Sequence, residues 1–372
     1  MNKRRALVLY EIRKMKWLFL AGTFGVILFL VLLSGDMTGS SVISAPLGDI
    51  VSSEMYGSHF SYVLLNTFYN NHVIIPLFLA VLVAVQFWDL HRKKQEEYMS
   101  SLPFVKRERF IIKSLVGLAA LFADWLILVA GTLFIRQNVI MQYQKRNLLL
   151  PFYKELLANE TVWHTLRTLG ILGLELLAVY SILVMLQSMV NQSAAASAFG
   201  VGVMLAPVIF AYVVNQWYMC ITGKMMSYDM GGWEHLARIF IGDSLAYYPA
   251  ERWGYTGTIY YPCYYVLYWP MWQVALVLVA VILICLLVIW KLSQGRDVAA
   301  NNTLVAHKGV RAFLAVGIGM CAGAAFARFF PIDYFPVEYM HMNFPAVFVL
   351  LECITSPIFV FVSWKILKIS IR

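Results

Sequence analysis

Asp124, Glu175 and Glu352 each interrupt an otherwise apolar run. A carboxyl group so placed can relay protons, line a route for a cation, or accept hydrogen bonds from Ser, Thr or Gln of a neighbouring helix. At about 1.5 Å per helical residue, Asp124 falls roughly 20 Å from the start of its run, at the inner edge, and Glu175 and Glu352 fall about 10 Å from the starts of theirs, at the outer edge. That gives the three a similar depth in one half of a bilayer. A charge near the bilayer centre costs at least about 2.5 kcal/mol, so each should face a partner or an aqueous cavity. Internal hydrogen bonding is the simpler expectation. The sharper one is an acidic lining for the path of a cationic or amphipathic substrate.

Other chemistry finds little footing. No GxSxG elbow and no HExxH pair occurs, and His59, His72, His91, His164, His235, His307 and His341 are scattered rather than clustered with carboxylates. Cys220, Cys263, Cys285, Cys321 and Cys353 show no CxxC or metal-type spacing, which supports neither zinc nor a redox dithiol. Cys220 and Cys263 share one polar segment, where a disulfide or two free thiols are both open readings. No GxxxxGK[ST] is present to cradle nucleotide phosphates. Gly317 and Gly319 lie in an apolar run with no preceding strand, so a dinucleotide site is not expected. Gly319 and Gly323 form GxxxG, a pattern that lets two helices approach closely. The chain is therefore read as a non-enzyme that holds no cofactor or metal itself.

The elements that must position these residues follow from composition. Hydrophobic residues make up 61% of the 372, only 13% are charged, and mean hydropathy is +0.71. Soluble domains average about 45–50% apolar and about 25% charged, so this is expected to be an all-α integral membrane protein. A bilayer core of about 30 Å needs roughly 20 apolar helical residues. Eight runs qualify, at 17–33, 73–88, 111–135, 169–190, 196–217, 271–290, 310–326 and 344–367. The first follows a basic start without a small-residue cleavage site, which reads as an uncleaved span. Pro207 in the fifth removes one helix hydrogen bond.

The net charge of +9 does not point to nucleic acid, because Lys and Arg sit in short clusters beside the apolar runs rather than on one solvated face. Cytoplasmic segments carry the excess of Lys and Arg. With the N-terminus inside, the inner segments hold 20 of the 29, and both termini are cytoplasmic. Residues 136–167 resist this reading, since Arg136, Lys145, Arg146, Lys154 and Arg167 then lie outside. The outer segment 218–270 carries Trp233, Trp253 and Trp269 among ten tyrosines. Such rings prefer the headgroup zone, so the stretch is expected to cap the fifth and sixth spans, with a short helix at GGWEHLARIFIG.

Residues 91–113, HRKKQEEYMSSLPFVKRERFIIK, are crowded with charge in a chain that has little of it. Arg92 with Glu96 and Lys93 with Glu97 are i, i+4 pairs that would support a short helix, ended by Pro103. This segment resembles the intracellular loop of bacterial ATP-binding-cassette permeases of the type 2 exporter class. There an acidic and apolar helix leads into Ser-Leu-Pro, a basic pair and a Lys just before the next span. YEIRKMKW is similar to the basic interfacial helix that precedes the first span in such permeases, and residues 291–330 resemble an eight-span Gram-positive branch, with a polar inner segment ahead of a glycine-rich seventh span.

The resemblance implies a polytopic bundle of about eight helices, with residues 1–16 an interfacial basic helix and 17–372 the permease domain. It also implies a partner, a nucleotide-binding ATPase subunit that carries the ATP and Mg. Glu96, Glu97, Tyr98, Met99, Leu102 and Pro103 would meet that partner, Arg107 and Arg109 would hold the basic collar, and the turn NQSAAAS would make a lesser contact. A second permease, identical or paralogous, is expected, in a bacterial cell membrane. The implied activity is export of, or immunity against, an amphipathic substrate such as an antimicrobial peptide, drug or lipid-linked compound. A proton-coupled carrier or channel using the intramembrane carboxylates is the alternative.

Overall fold

The computed structural model describes residues 3–39, 64, 67, 74–91, 106–145, 162–222, 247–249, 265–267, 271–292, 304–305, 308–329 and 337–368. Each expected apolar run becomes a helix: α1 Lys3–Gly39, α2 Ile74–Phe87, α3 Lys106–Lys145, α4 Val162–Met189, α5 Ser193–Thr222, α6 Met271–Leu292, α7 Lys308–Phe329 and α8 Val337–Leu367. Seven of them are long and apolar enough to cross a membrane. The exception is α2, whose 14 residues continue into a four-residue 3-10 turn, Trp88–His91. Together these rise about 29 Å, close to a bilayer core of about 30 Å. Apart from this helical framework, the described residues include one small ribbon. In it β1, Tyr247–Pro249, pairs antiparallel with β2, Tyr265–Leu267, Tyr248 lying opposite Val266.

α1, α3 and α4 depart from the sequence reading. α1 runs unbroken through Lys16 and Trp17, so the basic residues from Lys3 to Lys16 and the first apolar run form one continuous helix. α3 continues ten residues beyond 135 and reaches about 60 Å in length. Arg136 is thereby helical and 9% exposed, and Arg167, within α4, lies 5.1 Å from the Trp163 ring. Both cations, expected on a loop, are helical; Arg136 is buried and Arg167 is exposed. α5 passes through Pro207 without interruption. The short helices expected before Pro103 and at GGWEHLARIFIG lie outside the described residues, as does Cys263; Cys220 is a free, exposed thiol.

The chain divides into two compact units, Met1–Ile75 with Ile112–Leu177 and Leu245–Val279, and Pro76–Ile111 with Ala178–Ser244 and Ala280–Arg372. In the first, α1 and α3 touch at three levels. Glu11 pairs with Lys113, Thr23 bonds to Asp124, and Gly131 lies so close to Leu30 that a methyl group there would collide with it. The numbering offset stays at 101 or 102 over about 28 Å of rise, which makes the two helices parallel. α4 joins through Trp125, whose Nε1 donates to the Leu169 carbonyl at 3.1 Å and whose ring fills the space left by Gly173.

In the second unit α7 and α8 form a hairpin on small residues. Gly319 packs on the backbone of Val360 and Gly323 on that of Ser356, the role expected of GxxxG. Val213 of α5, Ala324 and Ala327 of α7 and Phe348 of α8 close a small apolar core beside it. The α4–α5 turn is clasped by a distant stretch. Val190 forms an antiparallel bridge with Val305, and Asn191 N donates to the Leu304 carbonyl at 2.9 Å. Ser193 Oγ donates to the Ala84 carbonyl at 2.6 Å, tying the turn to α2 as well.

Both valines of the bridge are fully buried. Opposed residues of an antiparallel pair stand about 4.5–5.5 Å apart at Cα, within reach of a disulfide. In a background cleared of native cysteines, V190C/V305C should therefore oxidise to an intramolecular cross-link, seen as a mobility shift reversed by reductant. Failure to cross-link while the protein stays monodisperse would remove the clasp.

Candidate functional site: the charged segment and the buried carboxylates

Of the residues expected to meet a partner, Glu96, Glu97, Tyr98, Met99, Leu102 and Pro103 lie outside the described residues. The structure begins again at Lys106, which opens α3. Arg107 is half-buried and Arg109 is 5% exposed, its Nε making no hydrogen bond among the described residues. Next to it, the Phe110 ring packs on Phe87 at 5.1 Å, joining the start of α3 to the end of α2. α2 is fixed in turn to α4, Gln86 Nε2 donating to Tyr180 Oη at 3.1 Å in a buried contact. The described end of the charged segment is thus embedded in the helices, not a solvated tail.

One member of that segment has a partner that sequence reasoning did not pair. Lys113 Nζ lies 3.5 Å from Glu11 Oε2, with side chains 1% and 3% exposed. Both charges are far from water, where attraction is little screened and loss of one partner strands the other. A signal was present. Glu11 is the lone acid in the first 35 residues, and Lys113 is the last charge before Asp124.

The three carboxylates of the apolar helices are all buried, at 8% exposure for Asp124, 1% for Glu175 and 5% for Glu352. Asp124 Oδ1 accepts from Thr23 Oγ1 at 2.7 Å. Gly22 makes room for this, because a side chain there would run into the carboxyl group. Glu352 Oε2 accepts from Trp217 Nε1 at 2.8 Å, bridging α8 to α5. One turn away, Tyr212 meets Phe348 edge to face at 5.4 Å. These two acids have the neighbouring-helix donors of the simpler expectation. Asp124 and Glu175 belong to the first unit and Glu352 to the second.

At the far side of the second unit, Arg311 gathers the clasp. Its Nη2 donates to the Val305 carbonyl at 2.8 Å, and its guanidinium lies 6.0 Å from the Trp364 ring. Gln187, fully buried, donates from Nε2 to the Ser193 carbonyl and to Ser197 Oγ, both at 3.0 Å. The turn expected to make a lesser partner contact is therefore held by the Gln187 side chain and by the backbone carbonyls of Ala84 and Leu304. Among the described residues no group of three or more His, Cys, Asp or Glu gathers to hold a metal. No protein-family model matches the chain, and no curated protein matches it.

Proposed function

We propose that this chain is the membrane-spanning permease subunit of an ATP-driven exporter, powered by a separate nucleotide-binding subunit that docks on residues 91–113. The parallel register of α1 and α3 is the observation that carries the reading. Two parallel spans require the chain to cross back between them. α2 is the apolar helix available for that return, which favours eight crossings over seven. The same parallelism sets Arg5, Arg13, Lys14 and Lys16 of α1 and Arg107, Arg109 and Lys113 of α3 towards the same end of the two helices, and residues 1–16 and 91–113 hold six and seven Lys and Arg in sequence. Such an excess marks the cytoplasmic face. The charged segment is then inside the cell, where ATP is, and its last eight residues, 106–113, open α3. No nucleotide-binding motif accompanies it in this chain, so hydrolysis belongs to a partner. A second permease, identical or paralogous, completes the pathway, and the cargo is amphipathic.

The test is reconstitution from the native membrane. Affinity-purified chain should bring down a magnesium-dependent ATPase activity, and the charge reversals E96K/E97K should release it while leaving the chain intact. Should the complex hydrolyse no ATP, or should the double reversal retain full activity, the reading fails.

A further inference from the structure

Glu352 of α8 is 5% exposed and takes one hydrogen bond, donated by Trp217 Nε1 of α5 to its Oε2 at 2.8 Å. Among the described residues no other group bonds to this carboxyl, and no Lys or Arg pairs with it. Gln216, the residue before Trp217, is also 5% exposed. Its Oε1 is buried, and its amide makes no hydrogen bond among the described residues. Both residues stand in helices apolar enough to cross a membrane.

At about 3.6 residues per turn, Gln216 projects from α5 between Tyr212 and Trp217. Both of those touch α8, Tyr212 at the Phe348 ring and Trp217 at Glu352, and Phe348 and Glu352 are one turn apart. The Gln216 amide is therefore turned toward the side of α8 that carries the acid. A buried acceptor in apolar surroundings costs free energy until a donor reaches it, and a buried carboxylate costs more. What this place lacks is a donor. Beside a carboxylate the fitting one is a cation that bears N–H, and the rings of Tyr212, Trp217 and Phe348 suit the organic ammonium of an amphiphile. A hard metal ion would take about six oxygen ligands, and no group of three or more His, Cys, Asp or Glu gathers among the described residues.

We propose that Glu352 and Gln216 bind the protonated primary or secondary amine of a cationic amphiphile between α5 and α8. This names the chemistry of the cargo, and for its purpose it rests on the transport reading. Binding to the isolated chain needs no ATPase. Its failure therefore leaves the ATPase result standing, and absence of the ATPase leaves the binding measurable.

Phenethylammonium, phenyltrimethylammonium, which has no N–H, and neutral phenethyl alcohol are titrated into the purified chain in detergent while the midpoint of thermal unfolding is followed. The midpoint should rise saturably with phenethylammonium alone. Glu352→Gln should raise the concentration needed at least about tenfold, because a charge-assisted contact is lost. Gln216→Leu should raise it about threefold or more. The same variant should leave the empty protein as stable as the wild type or more so, since it removes an unanswered acceptor, whereas a glutamine with only a structural role would cost stability. No response to phenethylammonium, or an equal response to all three compounds, overturns the proposal. So does wild-type affinity in either variant, or a Gln216→Leu protein less stable than wild type when empty. If Glu352→Gln does not purify, Gln216→Leu decides.

Discussion

Glu11→Ala should unfold the chain at a markedly lower temperature than the wild type, and Lys113→Met should do the same. Removing one partner of a buried ion pair costs about 3–5 kcal/mol, most of it the penalty of a charge left without compensation. Here the geometry raises the stake, because the pair is the first of the three levels at which α1 grips α3. Replacing both charges by apolar groups of similar volume is often neutral, so E11L/K113M should be more stable than either single variant. The exchange E11K/K113E should recover part of the loss. Thermal denaturation followed by size-exclusion fluorescence separates these outcomes. Single variants as stable as wild type, or a double variant as damaged as the two losses combined, would show that the pair does not hold the helices.

The second large effect is expected at the α7–α8 hairpin. A Cβ on Gly323 would stand 2.8 Å from Ser356 Cα and 2.9 Å from its N, and one on Gly319 would stand 2.5 Å from the same two atoms of Val360. Backbone cannot swing aside as a side chain can, so Gly319→Val and Gly323→Val must push the helices apart. Overpacking costs about 1–3 kcal/mol where neighbours are able to shift, and more where they are not. Separation also strips the Gly323 carbonyl from Thr355 Oγ1, now 3.3 Å away. Gly317 is the internal control, with nothing within 4 Å of its Cβ position, and Gly317→Leu should be tolerated. The yield of monodisperse protein and its unfolding midpoint report the difference. Equal behaviour of Gly317→Leu and Gly323→Val would dismiss the close approach.

The helices were legible because a bilayer demands long uninterrupted apolar runs, and such runs are visible without knowing what they touch. Gly319 and Gly323 were legible for a related reason, since close approach needs small residues four apart. Helix ends were less so. Polarity after Ile135 suggested a loop, yet α3 continues to Lys145 with Arg136 buried, because a helix ends where its backbone finds other partners, not where hydropathy falls. α1 likewise ignores the change from basic to apolar at Trp17. The pairings of Glu11 with Lys113, Thr23 with Asp124 and Val190 with Val305 are separated by about a hundred residues. Nothing in local pattern selects one distant partner over another. Tyr247–Pro249 and Tyr265–Leu267 are too short for an alternating pattern to announce a ribbon.

The unbroken length of α3 has a mechanical consequence. A rigid rod of about 60 Å, tilted by some five degrees about one end, carries its other end about 5 Å sideways, enough to exchange one set of side-chain contacts for another. The braces that α1 sets along its flank at Glu11, Thr23 and Leu30 would make the two helices swing as a single beam.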